Sequence, residues 1–199
     1  MILLPDAKMK SIGLKCPITS LLYFDDEKEE YLLVGQGNSL SLLSKKNELH
    51  RLKVFTASKI HQIKEIRTSE FLVCGGKSLA VVNVTEGGRL EIKNYEKIIE
   101  DWIWDSWFDP VTEIFHFLTA HNRIIRMRAN FETCDSLGCE EKCILYSGLV
   151  VPGRDRGGTV LAGSVFSKIL VWTFSEDSSD TLELPVHHRL SGHEGVIFR

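Results

Sequence analysis

The sequence predicts an all-β protein assembled from one repeated unit, and three observations carry that prediction. First, one short pattern is written four times: an apolar stretch ending in a small residue, a tight polar turn, and a second apolar stretch. The copies are Tyr31-Leu32-Leu33-Val34-Gly35 with Leu40-Ser41-Leu42-Leu43, and Phe71-Leu72-Val73-Cys74-Gly75 with Leu79-Ala80-Val81-Val82. They continue as Phe115-His116-Phe117-Leu118-Thr119-Ala120 with Ile124-Ile125-Arg126-Met127, then Val160-Leu161-Ala162-Gly163 with Ile169-Leu170-Val171-Trp172. Second, the later stretches start at Leu40, Leu79, Ile124 and Ile169, a spacing of 39, 45 and 45 residues. A hairpin repeat of that period is the signature of a β-propeller. Third, helical periodicity is absent apart from a weak trace at 93–101.

Each repeat reads as four strands, one blade. The first blade, 17–56, opens with an alternating strand at 17–24, turns through charged residues, runs the hairpin, and ends in a strand near 51–55. The second, 60–95, has a strand at 60–66, its hairpin, and an outer strand at 90–95 that alternates as Leu90-Glu91-Ile92-Lys93. The third, 101–137, runs from 101–108 through Asp109-Pro110 into its hairpin, with an outer strand placed only somewhere in 130–137. The fourth, 143–190, has a strand at 143–151, a loop at 152–157, the hairpin, a polar loop at 175–180 and an outer strand near 185–190. Strands packed on both faces read as unbroken apolar runs, and Val160-Leu161-Ala162 fits that rule. Gly35, Gly75, Ala120 and Gly163 stand where the chain enters each turn, where bulk would crowd the bend.

Ser191-Gly192-His193-Glu194-Gly195-Val196-Ile197-Phe198 has the Gly-His element that opens a blade in WD repeats. The expectation is therefore a partial WD40-type β-propeller, about four blades plus the start of a fifth at 191, in a fragment of a longer chain. In the fourth repeat Trp172 takes the Trp position, but Thr173 replaces the Asp. The literal pair Trp104-Asp105 opens a blade instead of closing its third strand, so it is no WD signature.

Composition narrows the function classes. A net charge of −3 argues against a generic nucleic-acid binder. No apolar run approaches the roughly 18 residues of a membrane span. The N-terminus offers only Met1-Ile2-Leu3-Leu4 before Pro5, too little for a signal-peptide core. A cytoplasmic protein is expected, and the five cysteines fit reduced thiols. Asn83-Val84-Thr85 then matches a glycosylation sequon by chance.

Asp101-Trp102-Ile103-Trp104-Asp105, Ala120-His121-Asn122, Cys139-x-x-x-Cys143, the run 160–165, Ile169-Leu170-Val171-Trp172 and the run 189–198 together resemble the WD repeat-containing protein 6 family. The resemblance covers roughly 95–199, and the first two blades by pattern only. It implies a non-catalytic scaffold that partners a Trm7-type, FtsJ-like methyltransferase acting on the ribose 2′-hydroxyl of the tRNA wobble position. The scaffold would help place the tRNA, and S-adenosylmethionine would sit on the partner enzyme alone. No cofactor is expected here: Gly35-Gln36-Gly37 belongs to a hairpin, not to a strand–turn–helix fingerprint. A general protein-interaction propeller in trafficking or growth control is the second reading.

Candidate residues follow. Arg123, Arg126 and Arg128, extended by Arg154 and Arg156, offer a basic face for RNA phosphates. Arg126 stands where the other blades have Leu42, Val81 and Val171, so it either pairs with a carboxylate or reaches a partner surface. Trp102, Trp104 and Trp107 are candidate partner contacts, since interface anchors are often Trp. Base stacking by these rings is the lesser alternative, because Glu100, Asp101, Asp105 and Asp109 make the segment negative. Trp172, Gly192 and His193 read as structural repeat residues, with His193 hydrogen-bonding inside its blade. Cys134, Cys139 and Cys143 lack the paired spacing and fourth ligand of structural zinc. His187-His188 lack a helpful carboxylate, and no nucleophile–base pair stands out, so neither metal nor catalytic residues are expected.

Overall fold

A computed structural model describes residues 16–25, 29–45, 47–153, 156–178 and 183–197. Sixteen strands form four antiparallel four-stranded sheets, each an up-and-down meander. The first contains β1 (Ile18–Asp25), β2 (Glu30–Gln36), β3 (Ser39–Ser44) and β4 (Glu48–Lys53). The second contains β5 (Gln62–Arg67), β6 (Glu70–Gly75), β7 (Ser78–Val84) and β8 (Leu90–Ile98). The third contains β9 (Ile103–Asp109), β10 (Ile114–Thr119), β11 (Arg123–Arg128) and β12 (Thr133–Gly138). The fourth contains β13 (Leu145–Pro152), β14 (Gly158–Ser164), β15 (Ile169–Phe174) and β16 (Val186–Leu190). Most of the weak helical trace at 93–101 falls in β8, where Leu90 and Ile92 alternate with exposed Glu91 and Lys93. The poorly marked third-blade strand is β12. The architecture is that of a partial WD40-type propeller.

The core lies between blades rather than within them. One cluster joins blades 1 and 2 through Leu33, Leu40, Leu42, Ile60, Phe71 and Val73. A second joins blades 2 and 3 through Leu72, Cys74, Leu79, Val81, Phe115 and Phe117. A third joins blades 3 and 4 through Leu118, Ile124, Val150, Val160, Leu170 and Trp172. Strand β6 shows why its sequence is unbroken: Phe71 and Val73 face blade 1, while Leu72 and Cys74 face blade 3. Period-two alternation buries both sets, so the strand has no polar face. In blades 1 and 2 the two middle strands are the most completely buried; the first strands are less so, with Leu21 and Tyr23 of β1 exposed.

Junctions are fitted by pairing a large side chain with a missing one. At Gly35 a β-carbon would come within 2.7 Å of the Ile60 side chain of blade 2. Ile197 fills the same place over Gly163 of blade 4, 3.1 Å from where a β-carbon would stand. The hydroxyls of Thr19 and Ser147 accompany these contacts, donating to the carbonyls of Ile60 and Ile197. Between blades 3 and 4 the arrangement reverses. Leu118 is the large residue, and a β-carbon on Gly148 would run into its Cδ2.

Because every blade is a meander, the β2–β3, β6–β7, β10–β11 and β14–β15 turns gather at one end of the molecule, here the hairpin end. The turns are Gly37-Asn38 and Gly76-Lys77 in the first two blades, with φ of +57° and +61° at the glycines. In blade 3 Thr119 pairs with Arg123 across three residues. In blade 4 Ser164 N–H bonds the Lys168 carbonyl around Val165-Phe166-Ser167.

Candidate partner and nucleic-acid interface

The arginines do not form one face. Arg126 is 8% exposed and points to blade 4 from the slot that is apolar in blades 1 and 2. Its Nε donates to Asp135 Oδ1 (2.6 Å) and an Nη2 hydrogen to Asp135 Oδ2. The remaining donors reach the carbonyls of Ser175 (3.3 Å), Glu176 (3.0 Å) and Ser178 (2.9 Å). All five N–H donors of the guanidinium are thereby used. Arg126 clamps a loop of the next blade and has no donor left for a phosphate. This corrects its place in the basic set, for a physical reason: carboxylate and carbonyl partners satisfy the charge inside the fold. Arg128 pairs with Glu132 (3.4 Å) and Arg156 with Glu176 (3.2 Å), both at the end opposite the hairpins. Arg154 lies outside the described residues. Arg123 is at the hairpin end, five residues or ~17 Å of strand from Arg128. Its Nε donates to Ser136 Oγ (2.9 Å) and Nη2 to the Ser136 carbonyl (3.1 Å). Among the described residues no carboxylate forms an ion pair with it.

Beside Arg126 lies His116, buried and stacked on Trp107 with ring centroids 4.6 Å apart, and in contact with Phe174 at 5.3 Å. Burial, reinforced by the Arg126 charge, lowers its pKa to about 4, so the ring is neutral. Its Nδ1 is buried with no hydrogen-bond partner among the described residues.

The three tryptophans also separate. Trp107 is half-buried against His116. Trp104 is half-buried too, and donates its indole N–H to the Leu145 carbonyl at 3.0 Å. Trp102 is 45% exposed at the hairpin end. Its ring lies near-parallel to His61 at 6.0 Å and tilted to Trp104 at 6.1 Å. The adjacent carboxylates are occupied. Asp101 accepts from the N–H groups of Trp102 (2.8 Å) and His121 (2.9 Å). Burial raises its pKa, but these bonds outweigh that and leave it below its ordinary value. Asp109 accepts from Val111 N–H (2.9 Å) and the Thr112 hydroxyl (2.7 Å).

Asp105 is the residue whose role the sequence concealed. It is fully buried. Gln62 Nε2 and Lys64 Nζ of blade 2 each reach Oδ1 at 2.6 Å, and Val150 N–H of blade 4 reaches Oδ2 at 2.8 Å. Ser106 donates to Gln62 Oε1 at 2.6 Å, completing the network. One carboxylate therefore ties three blades.

Trp172 is wholly buried, and its indole N–H meets Asn122 Oδ1 of blade 3 at 3.0 Å. Asn122 has φ +55° and also donates to the Glu141 carbonyl, so its side chain stitches turn to blade. Thr173, in the WD aspartate's position, bonds His187 Nε2 at 2.8 Å. Gly192 and His193 are exposed. The cysteines are free thiols. Burial pushes Cys74 up to about 12 and Cys143 up to about 11, which keeps both protonated. Among the described residues no His/Cys/Asp/Glu group is arranged to hold a metal ion.

Two grooves open on either side of His121 and Arg123. One, of about 880 Å³, is lined by Lys97, Ile98, Glu100, Thr119 and Ile125. The other, of about 610 Å³, lies between blades 3 and 4 and is lined by Cys139, Lys142, Cys143, Ile144, Val165 and Phe166. Phe166 is 66% and Ile144 52% exposed there.

The blades and their apolar inter-blade faces are those of a partial WD40-type propeller. The relatives fit that class. The chain is 27% identical over 132 residues, 63% of its length, to the mouse (Mus musculus) tRNA (34-2'-O)-methyltransferase regulator WDR6. It is 28% identical over 137 residues, 65% of its length, to the bovine (Bos taurus) protein of that name, and 27% over 136 residues, 63%, to the human (Homo sapiens) one. The matches span 11%, 12% and 11% of those proteins' own lengths. The relationship to WD-repeat proteins is thus a distant one. No protein-family model matches the chain. Among the described residues no helix is long and apolar enough to cross a membrane.

Proposed function

We propose that this chain is part of a non-catalytic, cytoplasmic WD-repeat scaffold that regulates a tRNA 2′-O-ribose methyltransferase and positions tRNA for it. The observation that carries the reading is the match to proteins named as regulators of that activity, on a fold whose buried Asp105 and Arg126 join blades. In this reading the FtsJ-like partner binds S-adenosylmethionine and performs the chemistry. The propeller contributes orientation, which alone lowers barriers by converting an encounter into a held geometry. The exposed Trp102, Ile144 and Phe166 at the hairpin end favour that end as the surface for the enzyme. Arg128 and Arg156 remain as RNA-contact candidates, both at the end opposite the hairpins.

The deciding measurement is wobble-position ribose methylation in cells depleted of the protein, with recovery of the methyltransferase on the purified full-length protein. Loss of methylation and co-recovery are expected. Intact methylation without co-recovery overturns the reading and leaves a general interaction scaffold.

A further inference from the structure

We infer that the groove between blades 3 and 4 is a docking site for a peptide segment of a protein partner, one carrying a large apolar side chain flanked by carboxylates. The inference rests on the scaffold reading and specifies its surface. Cys143, Ile144, Val165 and Phe166 give the groove an apolar wall, and Val165 N–H bonds the Ile144 carbonyl at 3.0 Å, so the two walls are joined. The turn that presents Phe166 is longer than the two-residue turns of blades 1 and 2, and it places an aromatic ring where they have Asn38 and Lys77. A phenylalanine 66% exposed at a hairpin tip leaves most of its ring free for a partner.

The rim supplies the charge. Arg123 is oriented by two hydrogen bonds to Ser136 and lies over Gly138, whose missing β-carbon would stand 3.5 Å from Nη1. It is a held guanidinium with no carboxylate partner among the described residues, the geometry suited to a visiting carboxylate. Lys142, on the same rim, has its ammonium 2.6 Å from the exposed Glu183 and can exchange that partner for another. Glu141 and Glu183 beside the groove, and Asp101 beyond His121, oppose a polyphosphate chain but tolerate single carboxylates facing Arg123. The apolar wall and mixed rim therefore select peptide over RNA.

The test is selection of a random dodecapeptide phage library on the purified full-length protein, with the Arg123→Glu and Phe166→Ser variants as counter-targets. Both substitutions are on the surface, and Lys45→Glu at the opposite end is the control. Selected peptides are expected to carry an aromatic or large aliphatic residue beside Asp or Glu. Their affinity should fall at least ~10-fold in either variant and stay unchanged in the control. Peptides without that pattern, peptides bound equally by the variants, or displacement by deca-uridylate that depends on Arg123 would each overturn the inference. Recovery of the methyltransferase on both variants would remove the groove while the scaffold reading stands; failure of recovery on the unaltered protein would remove the scaffold reading itself.

Discussion

At the scale of single residues, Arg126 and His116 make the sharpest predictions. Arg126→Ala leaves Asp135 and three carbonyls without their donor. Breaking a buried pair costs about 3–5 kcal/mol, and Asp135 retains some water, so a loss of unfolding free energy on the order of 3 kcal/mol is expected from urea titration. Arg126→Lys keeps the charge but not the fork and should recover less than half. The affinity of tRNA and its salt slope should not move beyond what misfolding explains. His116 gives a pH effect with a definite sign. Its folded pKa of about 4 is below the ordinary 6.5, so the unfolded chain binds the proton first. Stability should be level above pH ~6.5 and fall by about 3 kcal/mol as pH drops toward 4. His116→Leu should flatten that slope between pH 6.5 and 5, above the main carboxylate titrations. The oddity of Arg126 was legible, because three repeats set an apolar expectation for its slot. Its partners were not: the Ser175, Glu176 and Ser178 carbonyls are about fifty residues away, and no local pattern announces a long-range bond.

At the scale of strands, packing is set by pairs of large and small residues. Gly148→Ala should cost about 1–3 kcal/mol, because its β-carbon meets Leu118 Cδ2. Leu118→Ala alone should cost about 2–5 kcal/mol through the cavity. Combined, the two should cost less than their sum, since the new methyl group enters the space vacated. Thermal or urea unfolding of the four proteins measures this directly. The strands themselves were readable: apolar runs marked β2, β6, β7, β14 and β15, each near its expected place. Strand β12 was not, because Thr133 and Cys134 are exposed and only Leu137 is fully buried, which leaves almost no periodicity to read.

At the scale of the whole molecule, Asp105 is the point where three blades meet. Asp105→Asn keeps the shape but gives the Lys64 ammonium no charge partner and puts a donor against Lys64 or the Val150 N–H. A loss of about 3 kcal/mol or more is expected. Hydrogen exchange should show weaker protection in blades 2, 3 and 4 together, and little change in β1 to β4. The pair Trp104-Asp105 is no WD signature, and the motif is silent about Asp105, because a propeller's period reveals how often blades recur but not what fastens one to the next.

The reversed fit at Gly35 and Gly148 means that the blades are not interchangeable parts. Each junction works like a lock cut for a single neighbour. At the third junction the place that Ile60 takes in blade 2 belongs to Leu145, whose N–H bonds the Ala120 carbonyl as Ile60 N–H bonds the Gly37 carbonyl. Leu118 finds its room at Gly148 instead, so each junction places its missing side chain at a different point.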